Sequence, residues 1–195
     1  DSSPVNTFEF FLPASHQPMT IVSHSCNGFS LGTDTSSFKG SLWLDVLRHH
    51  YQENRYHVMI GGGDQIYCDA IKNASPEFSQ WLTEKNPIRK RKAKLTQKVT
   101  DSFHKFYLEQ YFAWYGEGFW KGPAGTTLQA LFPVAMACIP SINIFDDHDI
   151  IDGFGSYHDS TMRNEIFSGV GNAAYEYYML FQHHMALDEE EYEGD

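Results

Sequence analysis

Three short stretches of this sequence concentrate side chains of the kinds that bind metal ions. They read SCNGFS at residues 25–30, GGGDQIY at residues 61–67 and DDHD at residues 146–149. Carboxylates favour hard divalent or trivalent cations, whereas a set that mixes phenolate and thiolate favours ferric iron or another transition metal. The residue types therefore predict a metal site, provided that the fold brings the three stretches together.

Each stretch also has a simpler interpretation. A single cysteine such as Cys26 commonly packs as a small buried hydrophobic residue, and Asp64 could cap the turn that follows three glycines. The third stretch is harder to explain in that way, because its carboxylates repel one another next to the apolar run SINIF. Such crowding is costly unless a cation or hydrogen bonds offset it, so residues 146–149 favour a functional interpretation.

The elements that would position these stretches are predicted from apolar periodicity. Strands are predicted at residues 7–12, 19–23, 56–60 and 141–145, with a helix from about 42 to 50 that completes a β-α-β unit. Strands that alternate with helices indicate an α/β architecture with a largely parallel sheet. Ligands bind outside the carboxyl ends of such strands, which is where all three polar stretches lie.

The remainder of the chain is predicted to be mainly helical. Residues 72–140 form a long insertion with helical and aromatic patterns, and a last helix is predicted from about 163 to 187. One side of the helical pattern within the insertion carries Val99, Phe103, Phe106, Tyr107 and Gln110. The apolar stripe of the last helix comprises Ile166, Phe167, Val170, Ala174, Tyr177, Tyr178 and Phe181. Amphipathic helices of this kind are typical of a packed globular protein.

Charge and cysteine content narrow the possible partners and compartment. The formal net charge is −11, and this excess of acidic residues argues against nucleic acid as the main partner. Residues 188–195 contain six acids, which we interpret as a solvated acidic tail. Residues 85–98 are strongly basic. A solvated loop or exposed helix face is the favoured interpretation, and attraction of phosphates or of an anionic membrane surface is the alternative. An odd number of cysteines indicates a reducing compartment, so we expect a cytoplasmic protein.

Taken together, the motifs SCNGFS, GGGDQIY and NIFDDHDIIDGFGSY resemble those of the PhoD-like phosphatases, in particular the cytosolic-type PhoD-related proteins of fungi. This family is a branch of the metallophosphoesterases related to the purple acid phosphatases. The resemblance spans residues 19–184. It implies an α/β/β/α sandwich and a phosphatase or phosphodiesterase that uses a two-metal centre and a metal-bound hydroxide on a small phosphoester substrate.

The resemblance also implies a role for individual residues. Asp64 would bridge the two metals, Tyr67 and Cys26 would ligate a ferric ion, Asp147 would ligate the second metal, and His148 would be the catalytic residue that contacts the phosphoryl oxygen or protonates the leaving group. The implied cofactors are Fe³⁺ and a divalent cation, with Ca²⁺ favoured over Mn²⁺ or Zn²⁺. Weaker candidates for residues that support the ligands are Asn27, Asp146 and Asp149.

One departure from the family pattern concerns the ligands that should follow His148. His183 and His184 are adjacent on a predicted helix and would point in different directions, and His158 and Asp159 are weak candidates. We therefore interpret residues 1–195 as the N-terminal part of a PhoD-like domain, inactive alone, that leaves an apolar sheet face without its partner. The alternative is a non-catalytic interaction module that keeps a partial metallophosphatase fold.

Overall fold

The computed structural model describes residues 7–28, 42–117, 119–122, 125–128 and 131–187. Its strands are β1 (Ile21–His24), β2 (Val58–Gly62), β3 (Phe119–Gly122), β4 (Gly125–Leu128) and β5 (Ser141–Ile144). Its α-helices are α1 (Leu42–Gln52), α2 (Pro76–Thr83), α3 (Pro87–Lys92), α4 (Gln97–Tyr111), α5 (Leu131–Cys138), α6 (Asp159–Met162) and α7 (Glu165–Gln182). Short 3₁₀-helices at Asp69–Asn73 and Asp147–Asp149 and a π-helical turn at Phe112–Glu117 complete the elements.

The chain divides into two compact units, each assembled from separate segments. Unit 1 comprises Asp1–His24, Phe29–Gly61 and Ala113–Ile142. Unit 2 comprises Ser25–Gly28, Gly62–Phe112 and Asn143–Asp195. The three polar stretches singled out above supply residues 25–28, 62–67 and 146–149 to unit 2.

A three-stranded sheet with the order β1-β2-β5 confirms the predicted α/β class. Strands β1 and β2 are parallel, with Ile21 opposite Val58 and His24 opposite Gly61. The predicted strand at residues 7–12 is wrong, because this run forms no regular secondary structure. Its alternating pattern is that of a half-buried strand, but Phe8, Phe10 and Leu12 are exposed and no described strand pairs with the run.

Exposed isoleucines lie along all three strands of this sheet. Ile21, Ile60, Ile142 and Ile144 are between 45% and 63% exposed, while Asn143, between the last two, is buried. Because side chains alternate between the two faces of a strand, one side of β5 is apolar and open to solvent. The described residues form no second sheet that covers it, and the α/β/β/α sandwich stays a prediction.

Unit 1 is built around helices α1 and α5, which pack against each other. The Trp43 ring lies 5.4 Å from the Phe132 ring, and the Trp114 ring packs edge-on against the same phenylalanine. His50 is fully buried near the end of α1, where its Nδ1 accepts a hydrogen bond from the backbone N–H of Tyr56. The antiparallel strands β3 and β4 form a separate two-stranded ribbon.

Unit 2 is built on the packing of α4 against α7. Side chains at helical spacing are buried on both helices, as predicted, and they include Val99, Phe103, Tyr107, Ile166, Phe167, Val170, Ala174 and Tyr178. The backbone amides at the starts of the two helices are capped by Thr96 and Asn164. Helix α7 ends at Gln182, so His183 and His184 lie beyond it.

Candidate metal centre

The loop after β2 places Asp64 in a rare backbone conformation. The φ angles are 105° at Gly63 and 55° at Asp64, and Cys26 in the loop after β1 has a φ of 63°. A non-glycine residue in this left-handed region costs on the order of 1 kcal/mol, and such residues cluster at functional sites. Two of the predicted ligands therefore have strained backbones that the surrounding structure must hold.

Backbone hydrogen bonds connect the two strained loops directly. The N–H of Cys26 donates to the carbonyl of Gly63 at 3.0 Å, and the N–H of Asn27 donates to the carbonyl of Asp64 at 2.9 Å. The Asn27 side chain donates to the Gln65 carbonyl at 3.1 Å, which adds a third connection. Asn27 thus fixes the backbone that carries Asp64.

The carboxylate of Asp149 joins the third stretch to this arrangement. One of its oxygens accepts from the N–H of Asp64 at 2.7 Å and of Asp146 at 2.9 Å, and the other accepts from the N–H of Ile66 at 3.3 Å. Burial raises the pKa of Asp149 to about 6, against the lowering effect of these three backbone donors. The Asp149 carboxylate therefore stabilises the backbone around Asp64 through hydrogen bonds.

The side chains of Asp64, Asp147 and His148 converge on one point. Each offers a potential ligand atom, and these atoms lie within 4.8 Å of one another. Burial raises the pKa of Asp64, and the charge of Asp147 adds to that effect. A cation between two carboxylates and an imidazole would remove this repulsion, so the donor set fits a metal ion.

Cys26 and Tyr67 adjoin the same group. The Cys26 thiol lies 3.2 Å from a carboxylate oxygen of Asp64, and the Tyr67 ring lies 4.9 Å from the His148 ring. Burial raises the pKa of the Tyr67 phenol, with further contributions from Asp64 and Cys26. A Cβ atom on Gly28 would lie only 2.6 Å from the Tyr67 ring, so glycine is needed there for close approach. Thiol, carboxylate and phenol are thus adjacent, as the sequence predicted.

His148 is oriented by a residue that the sequence reasoning missed. Its Nδ1 lies 2.9 Å from one oxygen of Asp69, whose other oxygen accepts from the backbone N–H of Asp152 at 2.8 Å. With Nδ1 engaged, Nε2 is the ring nitrogen left for a metal or a phosphoryl oxygen. Burial lowers the pKa of His148, but Asp69, Asp64 and Asp147 outweigh it, and the net shift is upward. Asp69 stands two residues after Tyr67, and no spacing rule separates it from an ordinary surface acid.

The other candidates have structural roles. Asp146 accepts from the N–H of Asp147 and, with Asp149, caps the 3₁₀-helix that carries His148. A Cβ atom at Gly63 would lie 2.5 Å from the Cβ of Asp146, so this loop approaches Asp146 too closely for any other residue. The remaining candidates lie outside the metal-compatible group found among the described residues. They are His158, which caps α6, Asp159, which pairs with Arg163, His183, which contacts Asn143 and Tyr178, and His184, which is exposed.

Comparison of the sequence with known proteins identifies its family. The family model described as PhoD related phosphatase matches residues 4–191. The uncharacterized protein YGR266W of Saccharomyces cerevisiae is 50% identical over 186 residues, which cover 94% of this chain and 26% of that protein. The chain therefore spans about a quarter of the length of this relative. No solved structure matches.

Proposed function

We propose that this chain, which belongs to the PhoD-related phosphatase family, carries part of the active site of a metal-dependent phosphoester hydrolase. The observation that carries the proposal is the convergence of Asp64, Asp147 and His148 within 4.8 Å. Backbone strain at Asp64 and Cys26 supports it, because strained ligands are retained where the site needs their geometry. The activity is assigned to the full-length protein, since this chain corresponds to about a quarter of its relative.

The donor atoms around Asp64 favour two different metals. Cys26 and Tyr67 supply a thiol and a phenol, a combination that favours Fe³⁺. Asp147 supplies oxygen, which suits Ca²⁺, while direct ligation by the His148 imidazole would favour Mn²⁺ or Zn²⁺ instead. We therefore propose Asp64 as the bridging carboxylate between an iron ion and a divalent cation.

The chain's own residues would prepare the site for phosphoester hydrolysis. The Asp69 carboxylate holds the His148 ring so that Nε2 can donate a hydrogen bond to a phosphoryl oxygen or a proton to the leaving group. Asp147 is held by the backbone N–H of Gly153 at 2.6 Å, which keeps its carboxylate beside Asp64. When bound, the metals would supply Lewis acidity and a water acidic enough to react at neutral pH.

The proposed substrate is a small-molecule phosphoester, either a monoester or a diester. The chain's acidic balance supports this over nucleic acid, because a phosphate polymer would be repelled by a formal charge of −11. A cytoplasmic location is proposed from the free thiols of Cys26, Cys68 and Cys138. Thiols that must bind iron or stay buried are best preserved in a reducing compartment.

Replacing Asp64 with asparagine in the full-length protein tests the assignment. Asp64→Asn should lower the hydrolysis of an aryl phosphate by more than about 100-fold, because a bridging ligand is lost. Asp101→Asn, an exposed acid on α4, is the matched control and should leave activity unchanged. Elemental analysis of the same proteins should find two metals in the wild type and fewer in Asp64→Asn.

Two results would contradict the proposal in different ways. Undiminished activity in Asp64→Asn would show that the assigned centre is not the reactive one. Wild-type protein that binds no metal and hydrolyses no aryl phosphate would favour the alternative, an interaction module with a decayed site.

A further inference from the structure

Helix α3 carries four consecutive cations in a chain of strongly acidic balance. Its sequence is PIRKRK, and the formal net charge of the whole chain is −11. Concentrating positive charge in this way raises the local potential against the field of the rest of the molecule. The metal centre does not use this helix, so its charge needs a separate explanation.

Side-chain hydrogen bonds fix the backbone of this short helix. At its start, the Asn86 side chain accepts from the N–H groups of Ile88 and Arg89. At its end, the Lys90 carbonyl accepts from the indole N–H of Trp81 at 3.0 Å and from the Asn164 side chain at 3.1 Å. The helix is therefore held in one orientation at both ends.

That orientation separates one cation from the other three. Lys90 turns inward, with its amine 3.0 Å from the Leu82 carbonyl and 4.8 Å from the centre of the Trp81 ring. At about 100° per residue, the opposite side of the helix carries Ile88 flanked by three cations within an arc of roughly 160°. Those cations are Arg89, Arg91 and Lys92, and all three are exposed.

Within the described part of the chain, the three outward cations have no ion-pair partner. Among the ion pairs of the described ranges, none involves Arg89, Arg91 or Lys92. By contrast, the next two lysines along the chain are paired, Lys94 with Glu165 and Lys98 with Glu77. Within residues 85–98, the exposed cations without an ion pair among the described residues are Lys85, which lies just before α3, and Arg89, Arg91 and Lys92 on the outer face of α3.

An exposed isoleucine lies in the middle of this charged face. Ile88 is 64% exposed, and Lys92 lies one helical turn after it. We call Ile88, Arg89, Arg91 and Lys92 the α3 face. Basic side chains attract anionic headgroups, and an exposed apolar side chain among them can enter the boundary with the acyl chains.

We propose that the α3 face binds the surface of membranes that contain anionic lipids. The cations would attract the headgroups, and Ile88 would enter the boundary with the acyl chains. Such binding would be peripheral, and no helix within the described ranges is long and apolar enough to cross a bilayer. Single-stranded nucleic acid fits less well, because the α3 face offers no aromatic ring on which a base could stack.

Vesicle flotation of the full-length protein tests this proposal. One set of vesicles is phosphatidylcholine alone, and the other is phosphatidylcholine mixed with phosphatidylserine in equal parts. The wild type should float only with the second set, and high salt should release it. The triple variant Arg89→Gln, Arg91→Gln, Lys92→Gln should bind on the order of 100-fold more weakly, since each basic residue contributes roughly fivefold.

A matched control removes the same amount of charge elsewhere. The control is the triple variant Lys94→Gln, Lys98→Gln, Lys105→Gln. It replaces three lysines that are paired with glutamates, so binding should stay within roughly threefold of wild type.

Ile88→Ser tests the apolar part of the α3 face and should weaken binding by roughly fivefold without changing its dependence on salt. The Gln substitutions lie on exposed positions and should leave thermal stability unchanged.

Three results would overturn the proposal. Equal losses in the two triple variants would mean that net charge rather than the α3 face governs binding. Binding of wild-type protein to a single-stranded oligonucleotide but not to the anionic vesicles would identify nucleic acid as the partner. Equal binding to both sets of vesicles would exclude recognition of anionic lipid.

Discussion

Replacing Asp69 with asparagine tests whether its carboxylate controls the state of the His148 ring. Both oxygens of Asp69 accept hydrogen bonds, one from the His148 Nδ1 at 2.9 Å and one from the backbone N–H of Asp152 at 2.8 Å. Asparagine has one acceptor and one donor at these positions. If its NH₂ group faces His148, the imidazole must carry its proton on Nε2, and that nitrogen can no longer ligate a metal.

The size of the effect follows from the environment of the pair. A hydrogen bond to a charged group is worth about 1.5–3 kcal/mol, but both side chains are about one-third exposed, at 29% and 32%, so solvent screening reduces that value. A loss of about 1.5 kcal/mol corresponds to about tenfold in affinity. This value agrees with the loss of roughly 10- to 100-fold in metal affinity or activity that follows removal of residues that orient metal ligands.

Calorimetric titration of metal-free full-length protein with Mn²⁺ is the appropriate measurement. Asp69→Asn should bind about tenfold more weakly than wild type, with thermal stability preserved because the site is partly exposed. Asp152→Asn is the matched control, since Asp152 contributes its backbone N–H and keeps it after substitution. Wild-type affinity in Asp69→Asn, or an equal loss in Asp152→Asn, would refute the idea that Asp69 prepares His148 Nε2 as a metal ligand.

Three further predictions concern glycines at the site and one buried histidine. Gly63→Ala should lower the free energy of unfolding, measured in urea, by more than about 2 kcal/mol, because Asp146 occupies the space that the new Cβ atom needs. Gly155→Ala is the control: its φ of 96° is similar, but the space around a Cβ atom is open, so it should lose only about 1 kcal/mol. Equal losses in the two variants would contradict the steric argument. Gly28→Ala should displace the Tyr67 ring and so reduce the iron that we propose for this site, as measured by elemental analysis. Gly116→Ala is the control, because a Cβ atom at that position would have no described atom within 4 Å. Unchanged iron in Gly28→Ala would argue against Tyr67 as a ligand. Burial foremost, then the charges of Arg55 and His57, lower the pKa of His50 from its ordinary 6.5. As the pH falls, this histidine therefore takes up a proton in the unfolded chain before it does so in the folded chain. The free energy of unfolding should be unaffected by His50 above pH 6.5 and should decrease below it, more steeply in wild type than in His50→Gln. Equal slopes of the free energy of unfolding against pH in the two proteins would refute this.

Periodicity in the sequence was sufficient to predict the elements that bury side chains on a regular face. Strands β1, β2 and β5 and helices α1 and α7 were predicted within about five residues of their observed bounds, and α4 was predicted as a helical pattern without bounds. The same kind of pattern was misleading at residues 7–12, because alternation produces a strand only where another strand supplies hydrogen-bond partners. Whether such a partner exists is a property of the tertiary structure.

The types and order of the site residues were also visible in the sequence. Carboxyl ends of parallel strands lie at one edge of a sheet, so Cys26, Asp64 and His148 could be expected to meet there. Their convergence within unit 2 agrees with that expectation. Chain order and strand direction together were enough for this part of the site.

Only the tertiary structure distinguished the roles of the surrounding acids. Asp149 belongs to the DDHD stretch and was a candidate for supporting the ligands, whereas Asp69 lies outside the three stretches and nothing in its spacing indicated a role. In the folded chain Asp149 is buried against the N–H groups of a loop more than eighty positions earlier, whereas Asp69 faces the His148 imidazole. A carboxylate acts through the donors within about 3 Å of it, and long-range folding decides which donors those are.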